Sequence, residues 1–211
     1  MNGKNSKKQL TVGFTYNTIP SQHFFEENDG SFLAKFGEWD DPETINGVIT
    51  SLESAGHKVI PIEAVVTKNY DAYDELKKHG KELDIVFNIA EGLATPNRES
   101  LIPAMLEWLN IPYTGSDAKA LAIGLDKVTT LEILSQYHIN VGPHFVFKTQ
   151  DDVRDLKRYA HQLEKIFPLV VKPVSEGTSV GMSQKSVVEG IEDLRQTLEH
   201  LIDEYKQPAM V

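Results

Sequence analysis

A short loop rich in glycine and hydroxyl residues has the clearest potential for chemistry in this 211-residue sequence. It reads Ser-Glu-Gly-Thr-Ser-Val-Gly over residues 175–181 and lies between two segments that read as strands. Its glycines allow the backbone to approach a ligand, and its hydroxyl and amide groups can donate to phosphate oxygens. Lys172, on the preceding strand, adds a positive charge beside apolar neighbours. This combination is compatible with a nucleotide site, although the spacing alone favours a flexible hairpin carrying a solvated lysine.

The same stretch also contains the pattern Gly-x-Ser-x-Gly, with Ser179 at its centre. In α/β-hydrolases this pattern presents a nucleophilic serine on a sharp turn that is followed at once by a helix. Here residues 182–187 alternate like a strand, and the one histidine after Ser179 is His200, inside an amphipathic helical segment. The context therefore disfavours a serine hydrolase acting through Ser179.

Three further charged positions are candidates for binding. Lys127 opens a predicted helix, where a positive charge opposes the helix dipole, so it is either functional or a solvated surface lysine. Glu91 ends an apolar strand at 84–90 and could bind an ammonium group or simply be solvated. Arg98 and Glu99 are interpreted as a surface pair opening the next helix, with the alternative that Arg98 faces the same crevice as Glu91.

The first half of the chain must position these residues by alternating strands and helices. The predicted strands are 10–17, 58–63 and 84–90, and the predicted helices are 41–55, 70–79 and 100–110. Such an order implies a parallel sheet with right-handed crossovers. Ligands of parallel sheets bind at the carboxyl ends of the strands, which here are Asn17, 88–92 and 113–116. Residues 18–38 are predicted to form a long loop.

The second half has a different character, and a boundary is predicted near 116–122. Helices are predicted at 125–138, 151–163 and 188–205, and strands at 143–147, 167–174, 181–187 and 208–211. This pattern predicts a second unit with two helices packed against a small antiparallel sheet.

Composition excludes several classes of function. The net charge is −10 and there is no cysteine, so a disulfide scaffold, a thiolate zinc site and a cysteine nucleophile are excluded. The acidic balance argues against nucleic acid and anionic membranes as partners. Residues 1–9 are polar and do not read as a signal peptide. The seven histidines are scattered and form no metal motif. A soluble, cytoplasmic protein is expected.

Four blocks of sequence together resemble the D-alanine–D-alanine ligase family of ATP-grasp enzymes. They are Val86-Phe87-Asn88 with Glu91-Gly92; Pro103-Ala104 with 109–116; Leu125-Asp126-Lys127; and 167–173 followed by 176–182. The resemblance implies an α/β fold in two parts. Residues 1–118 would form an N-terminal parallel-sheet domain (pre-ATP-grasp, Rossmann-like) on the substrate side, and 119–211 the small α+β subdomain of an ATP-grasp fold.

The resemblance also implies an activity, with ATP and Mg²⁺ as cofactors. The family phosphorylates the carboxylate of one amino acid with ATP, and the amine of a second attacks the acyl phosphate, in peptidoglycan precursor synthesis. Members commonly pair through the N-terminal domain, so a homodimer is expected. The residues implied at the nucleotide are Lys127, Lys172, Glu176, Gly177, Thr178, Ser179, Val180 and Gly181. Those implied on the substrate side are Thr178 and Glu91.

Two departures from the family fall on the amino-acid site. The first loop, 17–38, lacks the family's glycines, serine and ammonium-binding glutamate, and Glu91-Gly92 stands where the family has His-Gly, with the following turn replaced by 94–100. The amino acid or peptide that is joined is therefore left open.

A third departure is that the sequence stops at Val211. The family's adenine hinge, Mg²⁺ ligands and catalytic arginine are expected beyond this residue, so no metal ligand is assigned. The 211 residues alone are expected to bind ATP weakly and not to catalyse ligation. The alternative is a non-catalytic binding module, or one half of a split ATP-grasp protein.

Overall fold

A computed structural model of the chain describes residues 8–19, 36–66, 70–92 and 95–211. Most of the predicted loop at 18–38 lies outside the described residues, as do residues 1–7, His23 and Ala94. The chain divides into two compact units, Met1–Ala122 and Ile123–Val211, and each has its own buried core. Within the described ranges, no helix has the length and apolar character needed to cross a membrane.

The first unit is built on the parallel sheet that the sequence predicts. Its strands are β1 (Thr11–Tyr16), β2 (Lys58–Glu63) and β3 (Ile85–Asn88), in the order β2-β1-β3. Both outer strands pair with β1 in parallel, and Thr15 lies between Ile62 and Asn88 in the register. The carboxyl ends of all three strands therefore meet at one edge of the sheet.

Four helices accompany this sheet along the chain, and three of them follow from local signals in the sequence. They are α1 (Pro42–Ser54), α2 (Ala72–His79), α3 (Leu101–Trp108) and α4 (Ala118–Leu125), and α3 is preceded by a 3₁₀ turn at Arg98–Ser100. The Asp41 carboxylate caps α1 by accepting from the Thr44 N–H at 2.7 Å, with proline in the first turn. The fourth helix, α4, was not predicted from the sequence.

Close packing on β1 explains a glycine in the middle of the sheet. Phe14, Leu76, Val86 and Leu106 are fully buried in this unit. A Cβ atom on Gly13 would lie 2.9 Å from Cγ2 of Val86. A glycine at this position therefore lets the core side chains pack directly against the backbone of β1.

The second unit has short strands and a long helix. The strands are β4 (Val146–Phe147), β5 (Leu169–Val170), β6 (Lys172–Pro173), β7 (Val187–Val188) and β8 (Ala209–Met210). A three-stranded antiparallel sheet has the order β4-β8-β6, and a separate antiparallel pair joins β5 and β7. The helices are α5 (Lys127–Gln136), α6 (Gln150–Arg154), α7 (Ala160–Leu163) and α8 (Ile191–Tyr205).

The core of the second unit confirms the prediction for its last helix. Leu194, Leu198 and Leu201 recur on one face of α8 and are buried in a cluster with Phe147 and Val171. The predicted strand at 208–211 is present as β8, and both of its partners come from earlier in the chain.

Two strand predictions in this unit are wrong. The continuous strand at 167–174 is split at Val171, and its halves pair in different sheets. The predicted strand at 181–187 is mostly a turn and a 3₁₀ helix, Gln184–Ser186, and only its last residue enters β7. There the Ser183 hydroxyl accepts from the Lys185 N–H, and Ser186 Oγ accepts from the Ser183 N–H. Such local side-chain bonds compete with strand pairing.

Two helix predictions needed new boundaries. The helix predicted at 151–163 is broken into α6, a 3₁₀ turn at Leu156–Arg158, and α7. The helix predicted at 125–138 begins only at Lys127, because the Asp126 carboxylate caps it by accepting from the Thr129 N–H at 2.8 Å.

Candidate functional site

The loop at 175–181 folds as consecutive tight turns with an exposed tip. The Val180 N–H donates to the Gly177 carbonyl at 2.8 Å, and the Met182 N–H donates to the Ser179 carbonyl at 3.0 Å. Thr178 and Ser179 are exposed and have left-handed backbone conformations, with φ of 43° and 60°. The hydroxyl groups of the tip are thus presented to solvent on a folded turn.

The two ends of the loop touch at Gly181. This residue has φ of +76°, and a Cβ atom on it would lie 2.6 Å from Cγ of Pro173. Glycine satisfies both the backbone conformation and the close approach. The chain therefore returns at Gly181 to the point where it left β6.

Lys127 lies against the start of the loop. Its ammonium donates to the backbone carbonyls of Pro173 at 3.2 Å and Val174 at 3.3 Å, and also to that of Glu176. Its own N–H donates to the Val174 carbonyl. The structure brings Lys127 to the loop, where it binds the loop's backbone. Its contact with ATP stays a prediction.

A second residue that binds the start of the loop, Gln207, was not predicted from the sequence. Its side-chain oxygen accepts from the Ser175 N–H at 2.8 Å, and its side-chain nitrogen donates to Oε1 of Glu176 at 2.6 Å. Nothing in the local sequence pattern signals this role, since the partners are 31 and 32 residues apart along the chain. Lys172 is half-buried and is the first residue of β6, the strand that precedes the loop.

The geometry around Ser179 differs from that of a hydrolase nucleophile. β6 ends at Pro173, well before Ser179, and the next helical turn begins only at Gln184. The strand, serine and helix of a nucleophile elbow are therefore not contiguous here.

At the carboxyl edge of the first unit's sheet, Asn17 has a structural role. It is 1% exposed, and its side-chain oxygen accepts from the N–H groups of Glu91 at 3.0 Å and Gly92 at 2.8 Å. Its side-chain nitrogen donates to the Ala64 carbonyl at 2.9 Å. Asn17 thereby ties together the segments that follow all three strands and fixes the backbone of Glu91.

Arg98 is not the surface residue that the sequence suggested. It is buried, and its guanidinium donates to Oε2 of Glu38 from Nε at 3.1 Å and from Nη2 at 2.5 Å. The two side chains are 7% and 8% exposed. The alternative interpretation, in which Arg98 faces the crevice of Glu91, agrees with this position.

Two further carboxylates, those of Glu91 and Glu99, lie close to the carboxylate of this ion pair. Oxygen atoms of Glu38, Glu91 and Glu99 lie within 4.8 Å of one another. Burial raises the pKa of Glu91 to about 7, with further contributions from the negative charges of Glu99 and Glu38, which Arg98 opposes. A carboxyl with this pKa exchanges its proton near neutral pH, which suits either acid–base chemistry or binding of an ammonium group in its ionised form.

Gly92, beside these residues, has a positive φ and little space for a side chain, and it provides a stability test. It has φ of +71°, and a Cβ atom on it would lie 2.9 Å from the Arg98 carbonyl oxygen. Gly115 also has a positive φ, of +99°, but its Cβ would meet no atom within 4 Å. We expect Gly92→Ala to lower the free energy of unfolding by about 1 kcal/mol more than Gly115→Ala. Alanine is disfavoured at a positive φ in both places, and only at position 92 would its Cβ also be crowded.

Urea unfolding followed by tryptophan fluorescence would measure this difference, since both tryptophans, Trp39 and Trp108, lie in the first unit. Equal losses for the two variants would show that the backbone at Gly92 can shift without cost.

Comparison with known proteins adds sequence relatives. The family described as D-ala D-ala ligase C-terminus matches residues 133–210. The D-alanine–D-alanine ligase of Psychrobacter sp. (strain PRwf-1) is 31% identical over 144 residues, which is 68% of this chain and 39% of the relative. That of Acinetobacter baumannii (strain AYE) is 34% identical over 132 residues, 61% of this chain and 40% of the relative. The chain thus spans about 40% of the length of these relatives.

Solved structures agree on the fold. A D-alanine–D-alanine ligase from Bacillus anthracis has a TM-score of 0.61 at 22% identity and covers 95% of this chain and 56% of its own. The VanG D-Ala:D-Ser ligase from Enterococcus faecalis has a TM-score of 0.59 at 16% identity. The match covers 96% of this chain and 62% of the VanG chain. The fold class is therefore the α/β fold of these ligases. With the sequence relatives, it follows that the chain belongs to the D-alanine–D-alanine ligase family, as its motifs predicted.

Proposed function

We propose that this chain forms the amino-acid side and the phosphate-binding loop of an ATP-dependent ligase that joins a carboxylate to an amine. The observation that carries the proposal is the 175–181 loop, which is closed at its base, exposed at its tip and preceded by Lys172. A further structure of the Bacillus anthracis ligase, 20% identical to this chain with a TM-score of 0.58, is described as complexed with ATP.

The residues of the loop fit a polyphosphate by their chemistry. The exposed hydroxyls of Thr178 and Ser179 can donate to phosphate oxygens, and Lys172, on the strand that precedes the loop, supplies a positive charge. ATP, when bound, would supply the phosphoryl group that activates the carboxylate. The contribution of this chain is to hold and orient that group, since phosphoryl transfer depends mainly on positioning and charge neutralisation. We assign none of the described residues to Mg²⁺.

The first unit would hold the amino acid whose carboxylate is activated. Glu91 lies at the carboxyl edge of a parallel sheet, where ligands of such sheets bind. In its ionised form it would accept hydrogen bonds from a substrate ammonium group. The substrate class is D-alanine or a related amino acid or short peptide, consistent with a role in peptidoglycan precursor synthesis.

Substitution of Lys172 tests this assignment. We expect Lys172→Ala to weaken the binding of ATP with Mg²⁺ by about tenfold or more, because a charge-assisted contact with phosphate is lost. Isothermal titration of the chain with ATP and Mg²⁺ measures the dissociation constant. Lys185→Ala is the control, since Lys185 is exposed and lies in the same unit. Wild-type affinity in Lys172→Ala would refute the assignment of the site.

A further inference from the structure

We propose that Gln207 is a positioning residue for the 175–181 loop, an inference that rests on the proposed function of that loop. The helix α8 ends at Tyr205, and Lys206 adopts a left-handed conformation with φ of 51° that turns the chain toward β8. This turn places Gln207 at the start of the loop, where its side-chain amide bonds to two consecutive loop residues.

The hydrogen bonds fix the orientation of the Gln207 amide. The Ser175 N–H can only donate, so it faces the side-chain oxygen of Gln207 at 2.8 Å. Oε1 of Glu176 accepts from the side-chain nitrogen of Gln207 at 2.6 Å. Ser175 is 5% exposed, and loss of Gln207 would remove a partner from a backbone N–H that has little access to water.

Lys127 binds backbone carbonyl groups in the stretch where Gln207 binds a backbone N–H. Its ammonium and N–H donate to carbonyl oxygens of Pro173, Val174 and Glu176, whereas Gln207 accepts from the Ser175 N–H. Carbonyl and amide groups at the start of the loop are thus held from two separate elements. Because the loop closes on Pro173 at Gly181, fixing this start also fixes where the tip hydroxyls lie. A loop ordered before its ligand arrives loses less entropy on binding.

Removal of both hydrogen bonds is the first test. Gln207→Leu keeps a side chain of comparable size and makes neither bond. We expect the Ser175 amide to exchange with solvent at least tenfold faster, measured by hydrogen exchange in the chain without nucleotide. We expect the dissociation constant for ATP with Mg²⁺ to rise about three- to tenfold. Gln162→Leu, at an exposed position of the same unit, is the matched control.

An exchange of the two partners separates positioning from general stability. Gln207→Glu alone places two carboxylates against each other. We expect their repulsion to draw the new carboxylate away from Ser175 and to speed exchange of the Ser175 amide, although less than Gln207→Leu does, because a carboxylate oxygen can still accept from that N–H. In the double variant Gln207→Glu/Glu176→Gln, the new carboxylate accepts from both the Ser175 N–H and the new amide. We expect protection of the Ser175 amide to return to within about threefold of wild type.

The outcomes distinguish the inference from the proposed function. Unchanged Ser175 exchange in Gln207→Leu, or faster exchange with unchanged ATP affinity, overturns the positioning role. No ATP binding by the wild type overturns the proposed function of the loop, and the positioning role with it. If Gln207→Leu does not fold, the comparison of Gln207→Glu with the double variant decides, and equal exchange in those two overturns the inference.

Discussion

Replacement of Arg98 by methionine is expected to lower the free energy of unfolding of the first unit by about 3–5 kcal/mol, as loss of one partner of a buried ion pair typically does. Arg98 and Glu38 are almost completely withdrawn from water. Methionine fills similar space without a charge and leaves the Glu38 carboxylate buried without its guanidinium. The nearby carboxylates of Glu91 and Glu99 would add repulsion that Arg98 now offsets.

An exposed ion pair of the same unit supplies the control for Arg98→Met. Nζ of Lys58 lies 3.1 Å from Oε2 of Glu82, and the two side chains are 56% and 45% exposed. Lys58→Met is expected to cost less than about 1 kcal/mol, because water screens such pairs. Urea unfolding followed by tryptophan fluorescence measures both variants. A loss below about 1 kcal/mol for Arg98→Met would mean that Glu38 reaches water or takes up a proton when its partner is removed.

The double variant Arg98→Met/Glu38→Gln identifies the source of the loss. If the uncompensated charge dominates, this variant is more stable than Arg98→Met alone. If it is equally or less stable, the cost comes instead from the packing and the other contacts of the Arg98 side chain.

The sheet of the first unit could be predicted because its signals are local. β1 and β2 are six-residue strands with β-branched and aromatic residues, and Asp41-Pro42 marks the start of α1 by a cap that needs only neighbouring residues. The alternation of such elements leaves few topologies, and the parallel sheet is the common one. Propensity and tertiary structure agree in this half of the chain.

The strands of the second unit were harder because each is two residues long. Whether residues on either side of Val171 belong to one sheet or two depends on partners at 187–188 and 209–210. No pattern within 167–174 carries that information. The hydrogen bonds of Ser183 and Ser186 likewise form only in one local conformation, which apolar alternation does not reveal.

In the candidate site, too, the features set by local sequence could be predicted and those set by distant residues could not. Glycine and hydroxyl residues identified the 175–181 loop from sequence alone, since their spacing is local. Arg98 and Glu38 are 60 residues apart, so composition could not show that their charges are buried together. Gln207 has no chemical pattern around it and becomes recognisable only when the fold places it beside Ser175 and Glu176.

The carboxyl of Glu91 should make the first unit less stable as pH rises through neutrality. Burial raises its pKa from an ordinary 4.5 to about 7. Between these values the unfolded chain has released the proton while the folded chain retains it, so stability falls as pH increases. The full shift corresponds to about 3 kcal/mol, and solvent screening at this half-buried group reduces the expected loss to about 2 kcal/mol between pH 5 and pH 8.

Glu91→Gln isolates this contribution, because the amide resembles the protonated carboxyl and cannot ionise. We expect the variant to be about 2 kcal/mol more stable than wild type at pH 8, and nearly equal to it at pH 5. Urea unfolding at pH 5, 6, 7 and 8, followed by tryptophan fluorescence, gives the free energy at each pH.

Glu82→Gln is the matched control, with the opposite expected sign. Hydrogen bonds from His79 and then Lys58 lower the pKa of the exposed Glu82 carboxyl, so its ionised form is the one that the fold favours. Its replacement should lower stability at neutral pH. If Glu91→Gln is no more stable than wild type at pH 8, the fold accommodates the ionised Glu91 carboxylate as well as the protonated one, and the expected loss of stability through neutrality is wrong. The carboxylate would then be ionised throughout the neutral range, which is the form that would bind a substrate ammonium.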